Sequence, residues 1–154
     1  MKRIIVLLIV LLLVTGCTLP YEETTQPQLT GEDFVLSLVN SAEKRISRGY
    51  GDYAGHEGVD IAAPEGAEIY AADSGVVIQT VEMNMGYGIH CVIQHESYNT
   101  LYAHCSSLNV EKGDIVRKGD VIGYVGNTGN STGPHLHFEV IVDDEPCDPV
   151  QWYK

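Results

Sequence analysis

"VIGYVGNTGNSTGPHLHFEV", Val121 to Val140, carries the pattern that decides the fold. A short apolar run, Val121–Val125, gives way to a loop containing Gly126, Gly129, Gly133 and Pro134. Leu136, Phe138 and Val140 then alternate with His135, His137 and Glu139. In a strand, alternate side chains point to opposite faces, so the apolar set seeks a core and both imidazoles share the other face. Strand, glycine-rich turn, strand is the grammar of an all-β domain.

The same grammar extends outward. Short apolar runs separated by glycines predict strands at 67–72, 76–81, 89–95, 100–104, 121–125 and 136–142. Many short strands with turn signals between them indicate an antiparallel sandwich or barrel. Upstream the period changes. Phe34, Val35, Leu38, Val39 and Ala42 recur at helical spacing, and Thr30 with Asp33 three residues later forms an N-cap signal. One short helix is expected from about Glu32 to Lys44, within a segment 31–44 that precedes the β domain at 45–154.

The N-terminus obeys different rules. Lys2 and Arg3 precede an unbroken apolar run from Ile4 to Val14. That run is too short to cross a hydrocarbon core of ~30 Å as a helix. A charged start, a short apolar middle and small residues at the break describe an export signal, here 1–16. "VTGC", Val14 to Cys17, resembles the lipobox of bacterial lipoproteins, which implies cleavage before Cys17 and lipidation of its sulfur. Residues 17–30 are polar with two prolines and read as a tether. The expected location is outside the cytoplasm, lipid-anchored to a bacterial membrane and facing the cell wall.

A net charge of −12 with no basic tract argues against a nucleic-acid partner. With Cys17 lipidated, Cys91, Cys105 and Cys147 remain, an odd number that leaves at least one thiol unpaired within the chain. Cys91 and Cys105 fall on strands that could be neighbours, either bridged or as small buried thiols.

Six histidines are present, and their grouping carries the information. In "HEGVD", His56 and Asp60 are four apart, but Gly55, Gly58 and Pro64 argue against a helix. A flat strand would hold their Cα atoms ~13 Å apart, too far for one metal, and Gly58 permits the bend that would bring them together. His104 ends the strand "TLYAH" and by alternation points with Tyr102, opposite Ala103. Glu139 shares a face with His137, from which a ligand can be oriented, but a solvated strand carboxylate is the expected role. His90 and His95 have no partner at a telling spacing. One Asp and two His from this set would supply the three-ligand, one-open-position arrangement of a catalytic zinc.

Three separated segments, "HEGVDIAAPEGAEIYAADSGVV", "TLYAH" and "VEKGDIVRKGDVIGYVGNTGNSTGPHLHFEV", resemble the M23 family of zinc metallopeptidases, the lysostaphin-like or LytM-type peptidoglycan endopeptidases. The likeness covers about Arg45 to Pro149. It implies a compact antiparallel sandwich or barrel-like hybrid of the duplicated hybrid motif type, with one zinc ion per chain. It implies that His56, Asp60 and His137 hold the metal and that His104 and His135 are catalytic. Tyr50 is implied as a stabiliser of the tetrahedral intermediate, with Tyr53 as the alternative. The implied substrates are stem or cross-bridge peptides of peptidoglycan, cut hydrolytically; a protein activator is not readable. A non-catalytic zinc- or peptidoglycan-binding module is the competing reading, and the filled set of five residues weighs against it. "VEKGDIVRKGDVIG" is also similar to strands of biotinyl and lipoyl carriers, which lack the histidine motifs. "GNTGNSTG" has no Gly-Lys-Ser/Thr to make it a phosphate loop.

Overall fold

The computed structural model describes residues 29–153. The expected signal segment and Cys17 lie outside them. Chain order is α1 (Gly31–Ser37), β1 (Arg45–Arg48), β2 (Val59–Ala62), β3 (Glu68–Tyr70), β4 (Gly75–Val81) and β5 (Ile89–Gln94). There follow β6 (Asn99–Leu108), β7 (Ile115–Val116), β8 (Val121–Val125), β9 (His135–Val142), β10 (Glu145–Cys147) and α2 (Pro149–Trp152).

All strand pairs are antiparallel, in the order β1-β2-β9-β6-β5-β4-β7, with β10 beside β9 and β8 joining β6 to β3. The all-β architecture read from the sequence is therefore present. Leu136, Phe138 and Val140 of β9 are fully buried and pack with Val59, Ile61 and Tyr102 in the main core. Burial of large apolar side chains such as these contributes roughly 1.5–3 kcal/mol each before the entropic cost of ordering them.

The helix is shorter than its apolar period indicates. The Thr30–Asp33 capping box is formed, but α1 stops at Ser37. Val39 instead bridges Ile69, and backbone bonds join Asn40 N–H to Glu68 and Tyr70 N–H to Leu38. Leu38 and Val39 bury their side chains in either conformation, so the free edge of β3 wins their backbone groups. A second helix, α2, escaped the sequence pattern because it is four residues long. It packs on α1, with Tyr153 just beyond it stacked on Phe34 at 4.1 Å.

Cys91 and Cys105 lie on neighbouring strands, and both thiols are free and face the main core. Burial raises both well above the usual thiol range, Cys105 to about 12, so they act as small apolar groups. Cys147 is also free.

Strand β6 matters most for the site. Its first half, Asn99–Ala103, pairs with β9, whereas Cys105–Leu108 pairs with β8. At the changeover His104 has φ 62°, a left-handed conformation that costs a non-glycine residue roughly 1–2 kcal/mol. The extra residue is a bulge: Ile89 faces Cys105 and Cys91 faces Tyr102, so β6 spends three steps where β5 spends two.

Candidate active site

Register brings the charged groups together. Asp60 on β2 lies opposite His137 on β9, and Ala62 lies opposite His135. Cross-strand partners share a face, so Asp60, His135 and His137 project to the same side. His56 precedes β2, and the chain bends at Gly58 between them. Its Nε2 comes within 3.0 Å of Asp60 Oδ1, where His137 Nδ1 also arrives, at 2.7 Å. His135 Nε2 is 3.7 Å from the same oxygen.

Alternation would have turned His104 to the core with Tyr102, and the structure corrects this. Tyr102 is buried opposite Phe138, whereas Ala103 is opposite His137 on the site face. The left-handed turn at His104 breaks the alternation and keeps its imidazole on the site face too. Its ring centroid is 4.8 Å from that of His135 and 5.9 Å from that of His137.

Each imidazole is fixed through one nitrogen. Nδ1 donates to the carbonyl of Gly49 in His56, of Thr128 in His104 and of Gly133 in His135, at 2.7, 2.8 and 2.7 Å. In the neutral ring Nε2 is then the bare acceptor. For His56 that lone pair faces a carboxylate oxygen, so two acceptors confront each other. His137 lies between two carboxylates, with Nδ1 on Asp60 and Nε2 2.9 Å from Glu139 Oε1. A cation placed among these acceptors would relieve their confrontation. Three ligand atoms, one each from His56, Asp60 and His137, lie within 4.8 Å of one another. Two imidazoles and a carboxylate, each imidazole oriented through its second nitrogen, suit zinc. The three residues therefore fit the metal that the resemblance implied.

The electrostatics follow from the same contacts. Burial opposes the Asp60 charge, but the hydrogen bond from His137 and the close imidazoles of His56 and His135 outweigh it and hold the carboxyl well below its usual range. Burial opposes the charged form of His137 as well. Asp60 and Glu139 overcome that and raise it to about 9. His104 is pushed down to about 4, chiefly by burial, and is neutral at ordinary pH.

The site opens into a cavity of about 260 Å³ bordered by His56, Asp60, His104, His135 and His137. Tyr50 is not among its lining residues, because its hydroxyl donates to the Pro146 carbonyl at 3.0 Å. Tyr53 lines it instead and stacks on the His56 ring at 4.8 Å. Sequence reasoning missed Tyr87. Its ring lies 5.7 Å from that of His137, and its hydroxyl donates to Glu139. The visible signal was an aromatic residue between Gly86 and Gly88, both of positive φ. His95 is an ordinary bridging histidine, held by Ser74 O and Thr100 Oγ1. His90 is likewise tied to the Gly88 carbonyl.

Gly58 has its own constraint. A Cβ there would collide with the Phe138 carbonyl oxygen and press on Glu139 Cγ at 2.9 Å and His137 Cε1 at 3.0 Å. Gly58→Ala is expected to destabilise the protein by about 1–3 kcal/mol and to weaken metal binding, measured by melting with and without zinc. Unchanged zinc affinity would show that β2 and β9 can separate without disturbing the ligands.

An all-β domain with an imidazole–carboxylate cluster at the mouth of a cavity has the outline of a hydrolytic site, and comparison with known proteins supplies the family. Residues 54–149 match the model of Peptidase family M23, and the chain belongs to that family. It is 45% identical over 96 residues to the DD-carboxypeptidase/endopeptidase Mpg of Neisseria meningitidis, covering 62% of this chain and 22% of that protein. It is 45% identical over 100 residues to the peptidoglycan DD-endopeptidase ShyA of Vibrio cholerae, covering 64% of this chain and 23% of that one. The likeness thus spans less than a quarter of either relative. Among solved structures, the catalytic domain of lysostaphin from Staphylococcus simulans superposes with TM-score 0.67 and 33% identity, covering 71% of this chain and 92% of that one. A zinc containing peptidase from Vibrio cholerae superposes with TM-score 0.61 and 37% identity, covering 73% and 35%.

Proposed function

We propose that this chain is a zinc-dependent endopeptidase that hydrolyses peptide cross-links of bacterial peptidoglycan. The observation that carries the reading is the convergence of His56, Asp60 and His137 beside two further imidazoles, His104 and His135, on one cavity. Relatives named as peptidoglycan DD-endopeptidases, and a similar structure named as a zinc containing peptidase, support substrate and metal.

A zinc ion held by His56, Asp60 and His137 would polarise the scissile carbonyl and make water a better nucleophile. The remaining work falls to the chain's own groups. His104 and His135 anchor Nδ1 on backbone carbonyls and leave Nε2 as the free acceptor. Neutral His104 is suited to take the proton of the attacking water and return it to the leaving amine. His135, 4.8 Å from it between ring centroids, shares the proton traffic. Tyr53, at the cavity wall, takes the place the resemblance gave to Tyr50. Mass spectrometry of muropeptides released from defined cell walls tests the reading. Release with zinc that stops on chelation is expected; no release with zinc bound would overturn it.

Metal binding carries a proton signature. In the zinc-free site His137 keeps its proton up to about pH 9. Zinc needs its bare Nδ1, so binding near neutral pH is expected to release about one proton. Apparent affinity then rises with pH and levels off above about 9. Calorimetry in buffers of different ionisation enthalpy measures this; a heat independent of buffer contradicts it.

We also propose export and lipid anchoring through Cys17, supported by Lys2, Arg3, the apolar run and "VTGC". Cys17→Ser is expected to move the protein out of the membrane fraction.

A further inference from the structure

Strand β1 edges the site and carries two arginines, Arg45 and Arg48. Three positions apart, they would face opposite sides of a regular strand. They do not, because Ser47 is a bulge: Arg45 pairs with Ala62, Ile46 with Ile61 and Arg48 with Asp60. Asp60 and Ala62 share the site face, so both arginines lie over it too. There they line a second cavity of about 360 Å³, floored by Thr132, Gly133 and Pro134. This cavity joins the metal cavity, since Arg48, Asp60, Thr132 and His135 border both.

Among the described residues neither guanidinium makes an ion pair or a side-chain hydrogen bond. Arg48 only rests over the Tyr53 ring, at 5.5 Å. The chain has 21 acidic residues against 9 lysines and arginines, so acidic partners are plentiful. Two of the few cations nevertheless stand unpaired at the edge of the cleft. A guanidinium presents a planar fork of N–H donors that matches a carboxylate in two-point fashion.

We propose that Arg45 and Arg48 form a carboxylate-binding subsite that seats one acidic group of the peptide substrate beside the metal centre. This rests on the endopeptidase reading and adds a specificity element to it. The carboxylate comes either from a side chain of the peptide or from its C-terminus.

The test uses the zinc-loaded protein and a synthetic cross-linked stem peptide in three forms. One has all carboxylates free, one has the C-terminal carboxylates amidated, and one has the side-chain carboxylates amidated. Arg45→Gln is the lead variant, because Arg45, unlike Arg48, neither borders the metal cavity nor stacks on Tyr53. Arg48→Lys accompanies it, keeping the charge over Tyr53. Arg45→Gln is expected to lower kcat/KM for the free peptide by roughly ten- to a hundredfold, mostly through KM. One amidated form loses the same factor with the wild-type protein and is then indifferent to Arg45→Gln; that form identifies the source. Binding of the free peptide to His104→Ala protein, by calorimetry, must weaken in parallel when Arg45→Gln is added. Equal losses on all three peptides, or none, overturn the subsite while leaving the endopeptidase reading intact. Failure of the zinc-loaded wild type to cut any form overturns that reading and the subsite with it.

Discussion

Asp60→Asn is expected to abolish stoichiometric zinc binding and, with it, cleavage. Asp60 Oδ1 is the meeting point of the site, with His137 Nδ1 at 2.7 Å, His56 Nε2 at 3.0 Å and His135 Nε2 at 3.7 Å. An amide of the same shape removes the only negative charge among the three ligands. Loss of an outer hydrogen-bond partner typically costs ~10–100-fold in metal affinity, and loss of a charged ligand costs more. The substitution also acts on the zinc-free protein. Asp60 is one of two carboxylates that hold the proton on His137. Without it His137 titrates lower, so the proton released by residual zinc binding near pH 7 shrinks. Metal content by native mass spectrometry and the buffer-dependent heat read these two effects separately. An Asp60→Asn protein that retains one zinc per chain would show that the ligand set is misassigned.

The second large effect separates metal from proton transfer. His104→Ala is expected to keep zinc bound while lowering kcat by ~10²–10⁴, the usual contribution of a positioned general base. His104 is not one of the three convergent ligands, and its anchored Nδ1 lies on Thr128, away from Asp60. Stability moves differently. With φ 62°, alanine at this position keeps the backbone strain, whereas glycine relieves it. His104→Gly is therefore expected to be more stable than His104→Ala by about 1 kcal/mol and equally inactive. Added imidazole should restore part of the activity of the glycine variant, because the cavity keeps its walls. Zinc loss in either variant would contradict the division of roles.

What could be read in advance follows the physics of each segment. Strands with one apolar face announced themselves: Val121–Val125 matches its predicted span, and Leu136, Phe138 and Val140 are core residues. Strands β1, β7 and β10 were invisible, because at two to four residues they are too short to establish a period. Strand β2 was read only as a motif, since "VDIA" is too short to establish a period. Helix α1 was overextended because apolar spacing does not know about the open edge of β3. At the site, residue types and spacing pointed to His56, Asp60, His104, His135 and His137, and all five border one cavity. The bend at Gly58 was legible; its cause, close approach to the Phe138 carbonyl, is tertiary. The resemblance ranks Tyr50 ahead of Tyr53, whereas the Tyr50 hydroxyl is drawn to the carbonyl of Pro146, almost a hundred residues away, which no local pattern announces. The outward turn of His104 ran against simple alternation, for no local rule announces where a strand changes partners.

That turn has a consequence for anyone engineering this protein. A search for stabilising changes guided by backbone conformation would select position 104 early, since glycine is the residue most at ease there. The change would relieve the backbone and, in the same step, remove the buried imidazole that holds the Thr128 carbonyl and is proposed to move the proton. Backbone ease and the proposed proton transfer compete at a single dihedral angle, so a design score built on backbone conformation alone favours loss of the proposed general base.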